Sequence, residues 1–236
     1  MNVFDLILTD KEQIDINDIF LKKESKEAIH QLIKEHKYIQ QLNQYGLPVS
    51  NKVILYGDSG CGKTMTAKAI AQALGKEIII VNLSNIINSR IGETSQNIKQ
   101  LFDKAKREKA VLFLDEFDQI GKARIYDDND VGEMKRLVNS VIQLIDYLPI
   151  DSLLIVATNH INIIDSALIR RFQIRVEYLL PNNDTLDAYY NRIASSFPEN
   201  LCTIERKYNI SFAEAKDHML TLIKNNLIQK LEENNL

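Results

Sequence analysis

The sequence has no tryptophan, two cysteines, four prolines and eight glycines. Cys61 and Cys202 stand alone and far apart, which fits neither a disulfide framework nor a zinc-ligand spacing and points to a reducing compartment. No apolar run approaches the roughly 18–20 residues that span a bilayer. The start, MNVFDLILTD, lacks a basic leader and a small-residue cleavage site, so it does not read as a signal peptide, and a cytoplasmic protein is expected. Nor is there an excess of one charge: the net value is −3, with acids and bases interspersed. A duplex-DNA binder needs a basic face, so this balance argues against nucleic acid as the main partner, though a small basic channel stays open. With so few glycines, their clustering is informative. Three of the eight fall between residues 57 and 62, although glycine is the residue that loses most freedom on folding.

At 236 residues, 45% of them apolar, the chain can bury one large domain, or a main domain with a small appendage. Residues 1–20 read as a short leader, too few for a domain. Apolar positions Ile29, Leu32, Ile33, Ile39 and Leu42 predict an amphipathic helix over 25–45, stopped by Gly46 and Pro48. Short apolar runs then alternate with helical patterns. Strands are predicted at 53–56, 78–81, 111–115, 153–157 and 174–178, and helices at 63–74, 95–109 and 133–147 with a short one near 165–170. Polar residues 117–132 read as a loop. Strand runs without polar alternation suit a sheet covered on both faces, so the class is α/β with a mostly parallel five-stranded sheet over about 21–181. Beyond Pro181 only helical patterns remain, at about 184–195, 199–207 and 212–232. The last opens on Ser211 and Glu214, a capping-box pair. Residues 182–236 are read as a small helical subdomain.

Gly57-Asp58-Ser59-Gly60-Cys61-Gly62-Lys63-Thr64 matches G-x-x-x-x-G-K-[ST] between a buried strand and a helix. Glycines let successive backbone N–H groups turn inward around an anionic phosphate chain, and the helix N-terminus adds partial positive charge. Residues 57–65, Met65 included, are the candidate nucleotide contacts. Lys63 is placed on the β- and γ-phosphates, and the Thr64 hydroxyl on Mg²⁺. VLFLDEFD (111–118) ends a buried strand in two acids. Asp115 is the candidate second ligand of the magnesium shell, and Glu116 the candidate general base for an attacking water. IVATNH (155–160) delivers Asn159 at the same sheet edge, where an amide can bind the γ-phosphate or the water. Cys61 reads as a small loop residue.

These three pieces, in this order, resemble the AAA family of ATPases, over about residues 18–230. ATNHINIIDSALIRRF (157–172) is similar to the second region of homology of the original AAA branch. The resemblance implies sheet order 5-1-4-3-2, a helical lid after the sheet, and a ring, usually of six subunits. It implies Asn159 as sensor one, and Arg170 and Arg171 as candidate arginine fingers for the neighbour's nucleotide; many members place Pro-Gly between these arginines and this chain does not. A finger completes the phosphoryl-transfer site and is typically worth about 10³–10⁵ in rate. No sensor-two arginine stands at 211–220, which favours the original branch over loaders. The expected substrate-gripping loop reads Arg90-Ile91-Gly92, without the family's aromatic. Loop 121–132, with Arg124 and Tyr126, stands where a second pore loop is expected. The basic run Lys104, Lys106, Arg107 and Lys109 reads as a solvated helix face.

The leading expectation is a Mg-dependent ATPase that uses ATP and Mg²⁺, moves its lid on hydrolysis and reshapes a protein substrate or partner as a homo-oligomeric ring. A DNA-associated loader or transposition ATPase, and a slow nucleotide-dependent regulator of a partner enzyme, are the other readings. Stimulation by peptide, by DNA or by neither separates them.

Overall fold

The computed structural model describes residues 3–8, 12–87, 91–122 and 130–233. The Arg90, Arg124 and Tyr126 positions lie outside them. Internal contacts divide the chain into two units, residues 1–57 with 63–177, and residues 58–62 with 178–236.

The first unit holds a five-stranded sheet of β1 (Lys52–Gly57), β2 (Ile78–Asn82), β3 (Val111–Asp115), β4 (Leu153–Thr158) and β5 (Ile174–Tyr178), in the order β2-β3-β4-β1-β5. The β1–β4, β2–β3 and β3–β4 ladders are parallel. Helices α1 (Lys23–Lys37), α2 (Ile39–Gln44), α3 (Lys63–Ala73), α4 (Ser84–Ile87), α5 (Ile91–Glu108), α6 (Gln119–Lys122), α7 (Asp130–Asp146) and α8 (Ser166–Ile169) connect and flank the strands. This is the α/β sheet order that the resemblance implies. The central strand β4 is buried at every residue, β3 at all but Asp115, and β1 at Val53, Ile54 and Leu55, as expected for a parallel sheet covered on both faces. Edge strand β5 departs from the unalternating pattern: Val176 and Tyr178 are buried while Arg175 and Glu177 are exposed.

The core joins Leu112, Leu114, Phe117, Leu154 and Val156 to Leu101 and Phe102 of α5 and Leu137, Val141 and Ile145 of α7. Buried Asn51 spends its amide donors on the carbonyls of Pro149 (3.0 Å) and Ser152 (3.2 Å), tying the turn before β4 to the start of β1. At the other edge, Leu8 forms an antiparallel bridge with Ile80, its N–H donating to the Ile80 carbonyl at 2.9 Å. A bridge of this kind shields an edge strand from pairing with other chains.

The helix expected over 25–45 is broken in two at Tyr38, whose φ of −108° and ψ of 23° leave helical geometry. The end of α1 is fastened to the entrance of β1. His36 Nε2 lies 2.9 Å from the Ser50 carbonyl oxygen, and the Ser50 N–H donates to Glu35 at 3.0 Å. The chain must double back within a short span to make those bonds, and Tyr38 takes the bend. Within 117–132, read as loop, the described residues include α6 and the first residues of α7.

In the second unit, α9 (Asn183–Ala194) pairs with α10 (Phe212–Glu233). Leu186, Tyr190, Leu201, Ala215, Met219 and Ile223 form its core. Tyr189 and Phe212 meet edge to face at 4.9 Å. The capping box is formed: the Ser211 N–H donates to Glu214 Oε2 at 2.8 Å, and the Glu214 N–H donates to Ser211 Oγ at 3.3 Å. The helix expected at 199–207 is instead a single 3-10 turn at Glu199–Leu201 followed by chain without regular secondary structure. Side chains of α9 hold that chain open: the Tyr190 hydroxyl donates to the Lys207 carbonyl at 3.1 Å, and Asp187 accepts from Arg206 and from Tyr208. Leu227, near the end of α10, is 44% exposed. A 12-residue α9 cannot cover a 22-residue α10 to its end.

Candidate functional site

In a parallel sheet ligands gather at the C-terminal ends of the strands, where the order reverses. Gly57, Asn82, Asp115 and Thr158 end their strands there. From β1 the chain runs through Gly57–Thr64 into α3 with Gly57, Gly60 and Gly62 at φ of 121°, 69° and 102°. L side chains rarely accept such values. At Gly62 a Cβ would meet no atom within 4 Å, so that position needs glycine for its backbone alone. At Gly60 a Cβ would also fall 2.6 Å from Ser211 Oγ. The Ala213 N–H, at the start of α10, donates to the Gly60 carbonyl at 3.1 Å.

Asp58, where a neutral residue fits the motif more easily, is exposed. Its carboxylate accepts the Leu180 N–H at 2.9 Å, and its own N–H donates to the Tyr178 carbonyl at 2.9 Å. Ser59 is exposed, Met65 half-buried and Cys61 buried, its thiol 3.5 Å from the Ser59 carbonyl. Lys63 is 8% exposed and its ammonium donates to the Gly57 carbonyl at 2.8 Å. That bond arches the lysine back over the start of the loop. That Ser211 Oγ stands where a Cβ at Gly60 would fall is not readable from the motif, because Ser211 announces itself only as a helix cap.

Thr64 Oγ1 lies 3.4 Å from Asp115 Oδ2. A hydroxyl and a carboxylate side by side are hard oxygen donors, the ligand chemistry that magnesium takes. The donor set therefore fits the metal shell expected from the sequence. Burial pushes the Asp115 carboxyl above the ordinary carboxylate range; the Glu116 charge adds to this, while the Glu116 N–H, Lys63 and Thr64 oppose it. A bound divalent cation would reverse that cost. Glu116 follows with φ of 54°, a left-handed conformation in a residue that carries a side chain. Such strain costs about 1–3 kcal/mol and gathers at working sites. Asn159, just past β4, is exposed.

The two arginines have different surroundings. Arg170 is exposed. Arg171 is half-buried, its Nε donating to Asp146 Oδ1 at 3.0 Å and its Nη2 to Oδ2 at 3.1 Å, while Nη1 donates to the Ala167 carbonyl at 2.6 Å.

Comparison with known proteins identifies the family. Residues 53–180, more than half the chain, match the family described as ATPase family associated with various cellular activities (AAA). An uncharacterized AAA family ATPase, y4kL, of Sinorhizobium fredii is 38% identical over 156 residues, which is 66% of this chain and 47% of that protein. ATP-dependent zinc metalloprotease FtsH 1 of Alkaliphilus metalliredigens is 35% identical over 173 residues, 70% of this chain and 29% of that one. A proteasome-activating nucleotidase of Saccharolobus islandicus is 35% identical over 167 residues, 68% and 42% of the two chains. The chain thus spans less than half the length of these relatives. With the sheet order and the strand-end residues in place, the match over residues 53–180 shows that the chain belongs to the AAA family of ATPases.

Proposed function

We propose that the chain hydrolyses ATP with magnesium and couples turnover to reshaping a protein substrate or partner, within a ring of copies of itself, six by family resemblance. The observation that carries the reading is the 3.4 Å approach of Thr64 Oγ1 to Asp115 Oδ2, beside Glu116. Thr64 and Asp115 would hold the magnesium ion, whose charge offsets that of the phosphate oxygens during transfer. The backbone of 57–62 wraps the phosphates. Lys63 exchanges its bond to the Gly57 carbonyl for the stronger attraction of an anion. Glu116 takes the proton of the attacking water, and Asn159 holds the water or the γ-phosphate in line. Arg170, exposed where Arg171 is bound to Asp146, serves as the finger for a neighbouring copy. Residues 182–236 act as the lid.

A protein substrate is supported by two relatives whose names join ATP or nucleotide to a protease or a proteasome. Among the described residues no three or more His, Cys, Asp or Glu side chains gather as a metal site. No described helix is long and apolar enough to cross a membrane.

Calorimetry with ATP and ADP in magnesium tests the reading. Binding is expected in wild type, and Glu116→Gln is expected to keep that binding while losing hydrolysis and accumulating as an assembled species. A chain that ignores both nucleotides at millimolar concentration overturns it.

A further inference from the structure

Glu116 does not hold its left-handed backbone by itself. The residues after it are fastened to β4 and its surroundings. The Phe117 N–H donates to the Ala157 carbonyl at 2.8 Å, and the fully buried Phe117 ring meets Phe172 edge-on at 5.8 Å. The Gln119 N–H donates back to the Glu116 carbonyl at 2.9 Å. Next comes an acid where a core side chain could stand: Asp118 is 3% exposed. Its Oδ1 accepts from the Thr158 hydroxyl at 2.9 Å, and Thr158 is 1% exposed. The same Thr158 oxygen accepts the His160 N–H at 2.9 Å. Asn159 lies between the two ends of that relay.

The choice of side chains has a physical reason. A hydroxyl can donate once and accept in other directions, so its role depends on how it is turned. Here the Thr158 hydroxyl donates to Asp118 Oδ1, which leaves a lone pair for the His160 N–H. A buried chain of this kind is rigid when every member is satisfied and expensive when one is not. It ties the tip of β3, which carries Glu116, to the tip of β4, which carries Asn159.

We propose that Asp118 is a positioning residue of the hydrolytic site: by orienting the Thr158 hydroxyl it sets the placement of Glu116 relative to Asn159. The proposal rests on the roles given to those two residues above. Asp118 itself touches neither nucleotide nor water in this scheme. Misplacement by about 1 Å is enough to lower a rate by about 100-fold.

The test uses Thr158→Val, which keeps shape and loses both bonds, Thr158→Ser, which keeps the hydroxyl, and Asp118→Asn, which keeps shape but is no longer an acceptor alone. Thr158→Val and Asp118→Asn are expected to lower turnover about 10- to 100-fold while nucleotide affinity changes less than about threefold. Thr158→Ser is expected to stay within about threefold of wild type, and the double variant to be no slower than the worse single, since the two groups act as one unit. Amide exchange in the nucleotide-free chain needs no turnover: the His160 N–H should exchange at least about tenfold faster in Thr158→Val and Asp118→Asn but not in Thr158→Ser. The proposal is overturned by a Thr158→Ser variant as slow as Thr158→Val, by additive losses, by affinity falling in step with turnover, or by unchanged exchange at His160. Should Asp118→Asn not fold, the Thr158 pair decides. If Glu116→Gln still hydrolyses ATP, the assigned roles fail, whereas the exchange result still reports on the relay.

Discussion

Arg171 grips Asp146 with two nitrogens, Nε at 3.0 Å and Nη2 at 3.1 Å, and so fastens the chain after α8 to the end of α7. Arg170, one residue earlier, is exposed. Two arginines that look equivalent in sequence therefore have different surroundings. Arg170→Ala should lower turnover by at least about 100-fold with nucleotide affinity intact, and mixing it with the Glu116→Gln variant should restore activity where complementary faces meet. Arg171→Ala should instead lower the melting temperature by about 1–4 °C, because a partly exposed bidentate pair contributes at most about 1 kcal/mol. Asp146→Asn should copy Arg171→Ala in thermal melts. Equal effects of the two arginine variants on both measurements would remove the distinction.

Asp115 sits at odds with the stability of the nucleotide-free chain. Burial raises its pKa, so the folded chain takes up a proton at higher pH than the unfolded chain does. In that window the folded state binds more protons, and stability falls as pH rises through it. At neutral pH the cost of the buried charge is fully present. Asp115→Asn is expected to melt at a higher temperature than wild type at pH 7, with the gap closing as pH falls into the carboxylate range. Adding ADP with magnesium should reverse the order if Asp115 is the metal ligand proposed above, because only wild type keeps it. Thermal melts across pH check both arms.

His36 behaves in the opposite sense. It is 7% exposed, and burial, with Lys76 adding, lowers its pKa from 6.5; the bond to Ser50 and the charges of Glu35 and Asp151 oppose this. Nε2 carries the proton given to the Ser50 carbonyl, while buried Nδ1 has no hydrogen-bond partner among the described residues to receive a second one. Below pH 6.5 the unfolded chain binds a proton that the folded chain refuses. Stability is therefore fully present above that value and is lost as pH falls toward the folded one. Denaturant unfolding at pH 7.5 and at pH 5.5 should show this loss in wild type and a smaller one in His36→Gln. A loss of equal size in the variant would assign the effect to other groups.

Gly60 and Gly75 allow a steric contact to be weighed. Both have positive φ, 69° and 61°, but a Cβ at Gly75 meets open space while one at Gly60 falls 2.6 Å from Ser211 Oγ. Gly75→Ala should cost about 1–2 kcal/mol in urea unfolding, the left-handed penalty alone. Gly60→Ala should cost clearly more and weaken ATP binding as well. Equal costs would mean that Ser211 yields without resistance.

The motifs were legible because they are local. A phosphate loop needs its glycines, lysine and hydroxyl within eight consecutive residues, and the two acids need only a buried strand before them. Strands β3 and β5 match their expected bounds for a similar reason, since a short apolar run between polar ends has few alternatives. The irregular chain at 202–208 could not be read, because it is held by Asp187 and Tyr190 of another helix rather than by its own pattern. The bend at Tyr38 follows from bonds to Ser50, which no helical periodicity encodes.

Sequence by itself determined the glycine, lysine and hydroxyl spacing of 57–64 and the acidic pair that ends a buried apolar run at 115–116, because spacing along a backbone fixes those neighbours directly. Only the tertiary structure decided that Arg171 is bound and Arg170 is open, that Ser211 crowds Gly60, and that Asp118 turns the Thr158 hydroxyl. Each of those contacts joins residues between 25 and 151 positions apart. Which side chain faces which across such a gap depends on how helices and strands pack, and packing is a property of the folded whole.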